Sequence, residues 1–129
     1  MLDHVGFSVK NYERAKAFYE KALKPLGISV IMEVTPEQAG EDVHAAGFGE
    51  EQKPYFWIGT GNKPKGGQHV AFAAASRKAV DEFHRVALAA GGRDNGKPGL
   101  RPHYHPDYYG AFVFDPDGNN IEAVCHQPE

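Results

Sequence analysis

From Asp3 to Val9 the chain alternates: Val5, Phe7 and Val9 are apolar, whereas His4, Gly6 and Ser8 between them are small or polar. A period of two puts successive side chains on opposite faces of a strand. The period then changes. Ala15, Phe18, Ala22, Leu23 and Leu26 recur at helical spacing behind Asn11, a good N-cap, and Gly27 stands where a left-handed residue would end the helix. Beyond it "ISVIMEV", a broken stretch around "VHAAGFG", and "PYFWIG" read as three strands.

The same order returns 65 positions later without a gap. "DHVGFSV" at 3–9 is echoed by "QHVAFAA" at 68–74, Asn11 falls on Ser76, and Phe18, Ala22, Leu23 and Gly27 fall on Phe83, Ala87, Leu88 and Gly92. Val80, Phe83, Ala87 and Leu88 give the second helix its apolar stripe, and Gly92 is expected to stop it as Gly27 stops the first. "YYGAFVF" and "NNIEAVC" flank "DPDG", whose Pro and Gly suit a tight hairpin turn. "GGRDNGKPGLRPHYHP" is rich in turn-formers and stays ambiguous. The pattern predicts an α+β fold of two tandem βαβββ modules, about residues 1–62 and 66–127 of one domain spanning 1–129, divided where Gly, Pro and Lys cluster in "TGNKPKG".

The faces decide where polar residues point. Val5, Phe7 and Val9 pack on the first helix, leaving His4, Gly6 and Ser8 opposite; Val70 and Phe72 do the same in the fifth strand, leaving His69, Ala71 and Ala73. In the last strand Ile121, Ala123 and Cys125 face the helices, so Glu122, Val124 and His126 share the face of the two histidines. A carboxylate inside a half-buried strand costs several kcal/mol unless it is paired or binds a metal. Two imidazoles and a carboxylate converging with coordination positions to spare form the facial arrangement that holds divalent transition metals. A lone strand histidine is usually an ordinary satisfied polar group. Here both histidines occupy equivalent repeat positions and the carboxylate has matching parity, which makes His4, His69 and Glu122 candidate metal ligands. The position equivalent to Glu122 in the first module is Trp57, which cannot ligate through its N–H. Three ligands leave room for substrate and water.

Composition narrows the partners. The chain has 129 residues and a formal charge of -3 from interspersed charges, with no basic run to lie along a phosphate backbone, so nucleic acid is not an expected partner. No apolar run reaches the length of a membrane span, and the single cysteine, Cys125, cannot form an internal disulfide. A soluble cytoplasmic protein is expected.

A pair of βαβββ modules with histidines opening strands one and five and a glutamate in strand eight resembles the vicinal-oxygen-chelate superfamily of glyoxalase I, extradiol dioxygenases, fosfomycin-resistance proteins and bleomycin-binding proteins. "FYEKALKPLG", "HVAF" and "DPDGNNIEAV" look like its recurring segments, and the resemblance covers essentially the whole chain. It implies cupped sheets with helices outside and a divalent ion (iron, manganese, nickel or zinc) that chelates adjacent oxygens of a small-molecule substrate, in lyase, isomerase or dioxygenase chemistry. Carried over residue by residue, His4, His69 and Glu122 match the ligands. Trp57 departs from the glyoxalase I pattern, where a second glutamate serves in proton transfer, and so argues against lactoylglutathione lyase activity. The alternative is a metal-free binding protein of the bleomycin-resistance type. Relatives commonly protect their sheet edges by dimerising, so a homodimer is expected, with the three ligands drawn from one chain or from two.

Other residues extend the candidate site. Tyr55 and Trp57 share the cup face if alternation holds along strand four, forming a wall against a planar substrate. In "RPHYHPDYYG", His103, Tyr104 and His105 are candidates for a general acid or base at the rim, since strand four offers none, and Tyr108 and Arg101 are candidates for substrate contact. An extended H-x-H would put His103 and His105 on one strand face as a second metal site, a polar loop being the plainer reading. Arg93 is a weaker anion-holding candidate. His84, equivalent to Tyr19, reads as a structural helix-flank residue; Cys125 reads as a small core residue, and His126 as a neighbour of the ligands.

Overall fold

Asn11 and Ser76 cap the two long helices: each side-chain oxygen accepts a hydrogen bond from the backbone N–H three residues on, Arg14 at 3.0 Å and Ala79 at 3.1 Å. In this computed structural model, which describes residues 1–129, those caps open α1 (Tyr12–Leu23) and α3 (Arg77–Ala89). β1 (Val5–Ser8) precedes α1, and β2 (Ser29–Val34), a short helix α2 (Pro36–Ala39), β3 (Ala45–Glu50) and β4 (Lys53–Gly59) follow it. The second module repeats the order as β5 (His69–Ala73), α3, β6 (Arg93–Leu100), β7 (Tyr109–Phe114) and β8 (Asn120–Cys125). The strands form two mixed four-stranded sheets in the orders β1-β4-β3-β2 and β5-β8-β7-β6. In each, the first and last strands of the module run parallel and the other pairs antiparallel. No helix is long and apolar enough to cross a membrane.

Both modules contribute to one apolar core between the helices and the sheets. Phe7, Phe56 and Ile58 from the first sheet meet Phe72, Val113 and Ile121 from the second, with Phe18 of α1 and Phe83 of α3 among them. Phe56 bridges the halves, edge-on to Phe72 at 5.3 Å and to Phe7 at 5.4 Å. Cys125, 1 % exposed, lies in this core.

One buried carboxylate crosses the same boundary. Asp115, 2 % exposed, accepts the Tyr19 hydroxyl of α1, the backbone N–H groups of Asp117 at 2.9 Å and Asn119 at 2.8 Å, and the Asn119 side-chain amide at 2.9 Å. Burial, followed by the charge of Asp115, pushes the Tyr19 phenol well above its ordinary pKa, so it stays a donor. Asn119 in turn accepts the Gln68 N–H at 3.1 Å, fastening the start of β5.

Several expectations are corrected. Gly27 takes the left-handed conformation at φ 79°, but in the second module Gly91 does so, at φ 108°. Gly92 is required for a different reason: a Cβ there would come within 2.9 Å of the Phe18 ring and of the Ala87 carbonyl oxygen. Leu88 is 36 % exposed although its counterpart Leu23 is fully buried. His84, on α3, is buried and pairs with Asp94 at 2.9 Å, the structural role expected of it. The ambiguous segment contains β6, whose pairing with β7 slips twice, at Asp94/Gly96 and at Gly96/Gly99, so its residues show no period of two. The first sheet also carries a bulge, with Phe48 paired to Phe56 but Gly49 to Pro54, leaving Tyr55 as the extra residue. Tyr55 and Trp57 are both partly buried on either side of the buried Phe56, and Tyr55 also packs against the edge of the core.

On the face away from the helices, Trp57 lies between Gly6 and Gly47 in the strand register. A Cβ on Gly47 would sit 2.8 Å from the indole ring and 2.9 Å from the Pro54 Cβ, so the ring rests directly on the glycine. Two outcomes test this architecture. Tyr19→Phe should lower unfolding free energy by about 1.5–3 kcal/mol, the worth of a hydrogen bond to a charged group, with an unchanged urea m-value. Gly47→Ala should displace the indole, shifting the emission of the chain's one tryptophan to longer wavelength and lowering stability by about 1–3 kcal/mol; unchanged emission would place the ring elsewhere.

Candidate metal centre

β8 pairs with β5 so that Ala71 lies beside Glu122, and with β7 so that Phe112 lies on its other side. Glu122, Phe112 and Ala71 thus form a row across the face away from the helices. Ala71 is small, and Gly110, diagonally adjacent, leaves space that a Cβ would close: it would sit 3.2 Å from the Tyr108 ring and 3.3 Å from Glu122 Oε2. Through that space Tyr108 reaches over the strand and donates its hydroxyl to Glu122 Oε2. Glu122 is only 2 % exposed as a result, despite facing away from the core.

His69 opens β5 and approaches from the other side. Its Nε2 is 3.3 Å from Glu122 Oε1, and its Nδ1 is 3.0 Å from the Asn120 carbonyl. A carbonyl only accepts, so Nδ1 carries the proton and donates, and in the neutral ring the Nε2 lone pair faces the carboxylate oxygen. Two lone pairs at that distance repel unless a proton or a metal ion lies between them. A backbone carbonyl behind one ring nitrogen is also the arrangement that orients histidine ligands. Nε2 and Oε1 thus offer two of the donors a divalent cation takes, while Nδ1 and Oε2 are each held from behind. The Phe112 ring lies roughly parallel to His69, centroids 6.5 Å apart.

His4 is not brought to this pair. It precedes β1 in the other sheet, its side chain 60 % exposed, with Nδ1 2.8 Å from Asp3 Oδ1, which also pairs with Lys53. Within one chain no three histidine, cysteine or acidic side chains gather closely enough to hold a metal ion.

The rim is a turn and not the extended strand that H-x-H ligation would need. Tyr104 and His105 N–H groups both bond to the Arg101 carbonyl, and Tyr108 N–H to that of His105. Pro102 and Pro106 bracket this excursion between β6 and β7. His103 contacts Tyr104 at 4.2 Å, whereas His105 faces His126 at 5.8 Å, so the two histidines have different neighbours. Tyr108 joins the cluster edge-on to His126 at 5.2 Å and to Tyr104 at 5.0 Å. The Asp107 N–H donates to His105 Nδ1 at 3.1 Å, which leaves the proton of a neutral His105 on Nε2. Burial, with the carboxylate of Glu122 beside it, pushes the Tyr108 phenol up to about 12.

Arg101 is occupied by its own strand: its two terminal nitrogens donate to the Gly99 and Lys97 carbonyls at 2.9 and 2.8 Å, and its guanidinium lies over Phe112 at 5.5 Å. Arg93 similarly covers Phe114 at 5.1 Å. The sequence reading missed Phe112 and Gly110, which frame Glu122; the alternation of "YYGAFVF", paired against β8, carries their placement.

The geometry agrees with what the chain resembles. The model of the Glyoxalase/Bleomycin resistance protein/Dioxygenase superfamily matches residues 1–123. A protein of Pseudomonas aeruginosa, PA2024, is 33% identical over 98% of this chain and 89% of its own length. A glyoxalase/bleomycin resistance protein from Albidiferax ferrireducens superposes with a TM-score of 0.79 at 30% identity, over 99% of both chains. Glyoxalase I from Zea mays shares the fold at a TM-score of 0.71 and 21% identity, this chain covering 96% of itself and 45% of that longer protein. With βαβββ modules repeated at one register and a match across nearly its whole length, the chain belongs to the glyoxalase/bleomycin resistance protein/dioxygenase superfamily.

Proposed function

We propose that the protein is a divalent-metal-dependent enzyme acting on a small substrate with adjacent oxygens, and that its metal centre is completed across a homodimer. His69 and Glu122 of one chain hold the ion with His4 of a second copy. The observation that carries this reading is the opposition of His69 Nε2 and Glu122 Oε1, each on a group anchored from behind. The exposure of His4 on the other sheet supports the second copy as its source. When bound, the ion supplies Lewis acidity to polarise the paired oxygens or, if it is iron, a centre for dioxygen chemistry.

The chain's own groups do the rest. The Asn120 carbonyl fixes the His69 tautomer, and Tyr108 turns Glu122 so that Oε1 faces the histidine. Because its phenol stays protonated at neutral pH, Tyr108 is a hydrogen-bond donor here and not a base. His105, holding its proton on Nε2, can deliver it to a molecule in the cup, and His103 and Tyr104 stand on the same rim. Trp57 occupies the place of a second carboxylate and offers an apolar wall, so proton abstraction by a strand-four carboxylate, as in lactoylglutathione lyase, has no group to perform it. That wall also favours a second reading, a metal-free protein that sequesters a planar compound against Trp57.

Elemental analysis after incubation with manganese, iron, nickel and zinc separates the two: the enzyme reading expects one ion per chain, lost in His69→Ala and Glu122→Gln, whereas a metal-free wild type selects the binding reading. Sharing across chains has its own signature. His4→Ala and Glu122→Gln homodimers should each lack metal, while unfolding and refolding them together should restore about a quarter of the wild-type sites, since half the dimers are mixed and each has one intact centre; ligands drawn from one chain would restore none. Tyr108→Phe should weaken metal affinity about 10–100-fold, read by competition with a chelator, without changing stoichiometry.

A further inference from the structure

A cavity of about 440 Å³ opens against β1, beside the linker that joins the two modules. That volume falls in the range of small-molecule sites, which are ordinarily lined by apolar side chains. Here one of nine lining residues is hydrophobic, so the cavity suits a polar ligand. Its chemistry comes from Lys63, Lys65, Ser8, Gln68 and Asn119, and no carboxylate lines it.

The local sequence brings both lysines to the border of the cavity. In Lys63-Pro64-Lys65 the proline fixes its own φ and holds Lys63 out of the helical region, and both flanking lysines line the cavity. Neither lysine forms an ion pair within the chain. The Asp115 and Asp117 carboxylates nearby are turned to other donors: Asp115 to Tyr19 and the turn, Asp117 to the Lys10 N–H at 3.1 Å. Asn119 is committed through Oδ1 to the Gln68 N–H and through Nδ2 to Asp115, which makes it a rigid wall. Ser8 and Gln68 keep their side-chain polar groups unpaired by the protein and available to a ligand.

We infer that this cavity binds a doubly charged oxyanion group of a small molecule, through Lys63, Lys65 and the Ser8 hydroxyl. Two unpaired ammonium groups match two negative charges, and charge-assisted bonds to phosphate or carboxylate oxygens are the strong class of hydrogen bond. The position adds a consequence that rests on the metal-centre reading. Gly6 and Ser8 continue the strand face that begins at His4, about 7 and 13 Å along at strand rise. A substrate whose paired oxygens meet the metal would thus place an anionic tail between the two lysines.

The test titrates metal-free protein with inorganic phosphate at constant ionic strength, following the amide resonances of Gly6, Ser8, Gly66 and Gln68. Saturable shifts confined to these amides are expected, with affinity falling about tenfold or more in Lys63→Gln/Lys65→Gln and kept in Lys63→Arg/Lys65→Arg. Glu122→Gln should lose metal yet bind phosphate as the wild type does, so failure of the metal centre and failure of the anion site are read separately. Malonate in parallel distinguishes a dicarboxylate from a tetrahedral dianion, and saturation by either bears out the site. A response to neither, or one unaltered in the glutamine variant, overturns it.

Discussion

The bonds around Asp115 come before everything else in this structure. Burying a carboxylate costs several kcal/mol after relaxation, a penalty that only good geometry and full hydrogen bonding offset. Asp115 has both, with a phenol from the other module, two backbone N–H groups and an amide converging on its two oxygens. The same contacts shape the turn into β8 and, through Asn119, hold the first residues of β5. His69 and Glu122 begin only one and three residues beyond those anchors. The anchored backbone thus brings the two residues side by side, and the Asn120 carbonyl and Tyr108 hydroxyl orient their side chains.

That arrangement separates two demands that usually conflict. The core packs apolar side chains from both modules into a single unit, with Phe56 and Phe72 in contact across the boundary. The opposite face is built from small residues (Gly6, Gly47, Ala71, Gly110), which cost packing but leave room for a histidine, a carboxylate, an indole and a tyrosine. The apolar packing is concentrated on one side of each sheet, and His69, Glu122 and Trp57 stand on the other.

Much of this was legible because the chain states it twice. The ungapped offset located both caps, both helices and the faces of β1, β5 and β8, and from parity alone it put Glu122 and His69 on one face. Legibility failed where local backbone breaks the period. The register shift beside Tyr55 interrupts the pairing of β3 with β4, the two slips in β6 hid a strand among glycines, and the rim is held by turn hydrogen bonds that no periodicity reports. His4 shows a further limit: alternation gives the face a residue occupies, but it is silent on which sheet, or which copy, brings that face to its partner.

Trp57, which stands at the repeat position of Glu122, also makes the two halves unlike. Two modules built to the same plan would present equivalent surfaces, and a molecule lying between such surfaces could bind either way round. With Glu122 and His69 on one half and a flat aromatic ring on the other, the degeneracy is gone. On the proposed reading, a substrate held against both faces would lie in one direction only.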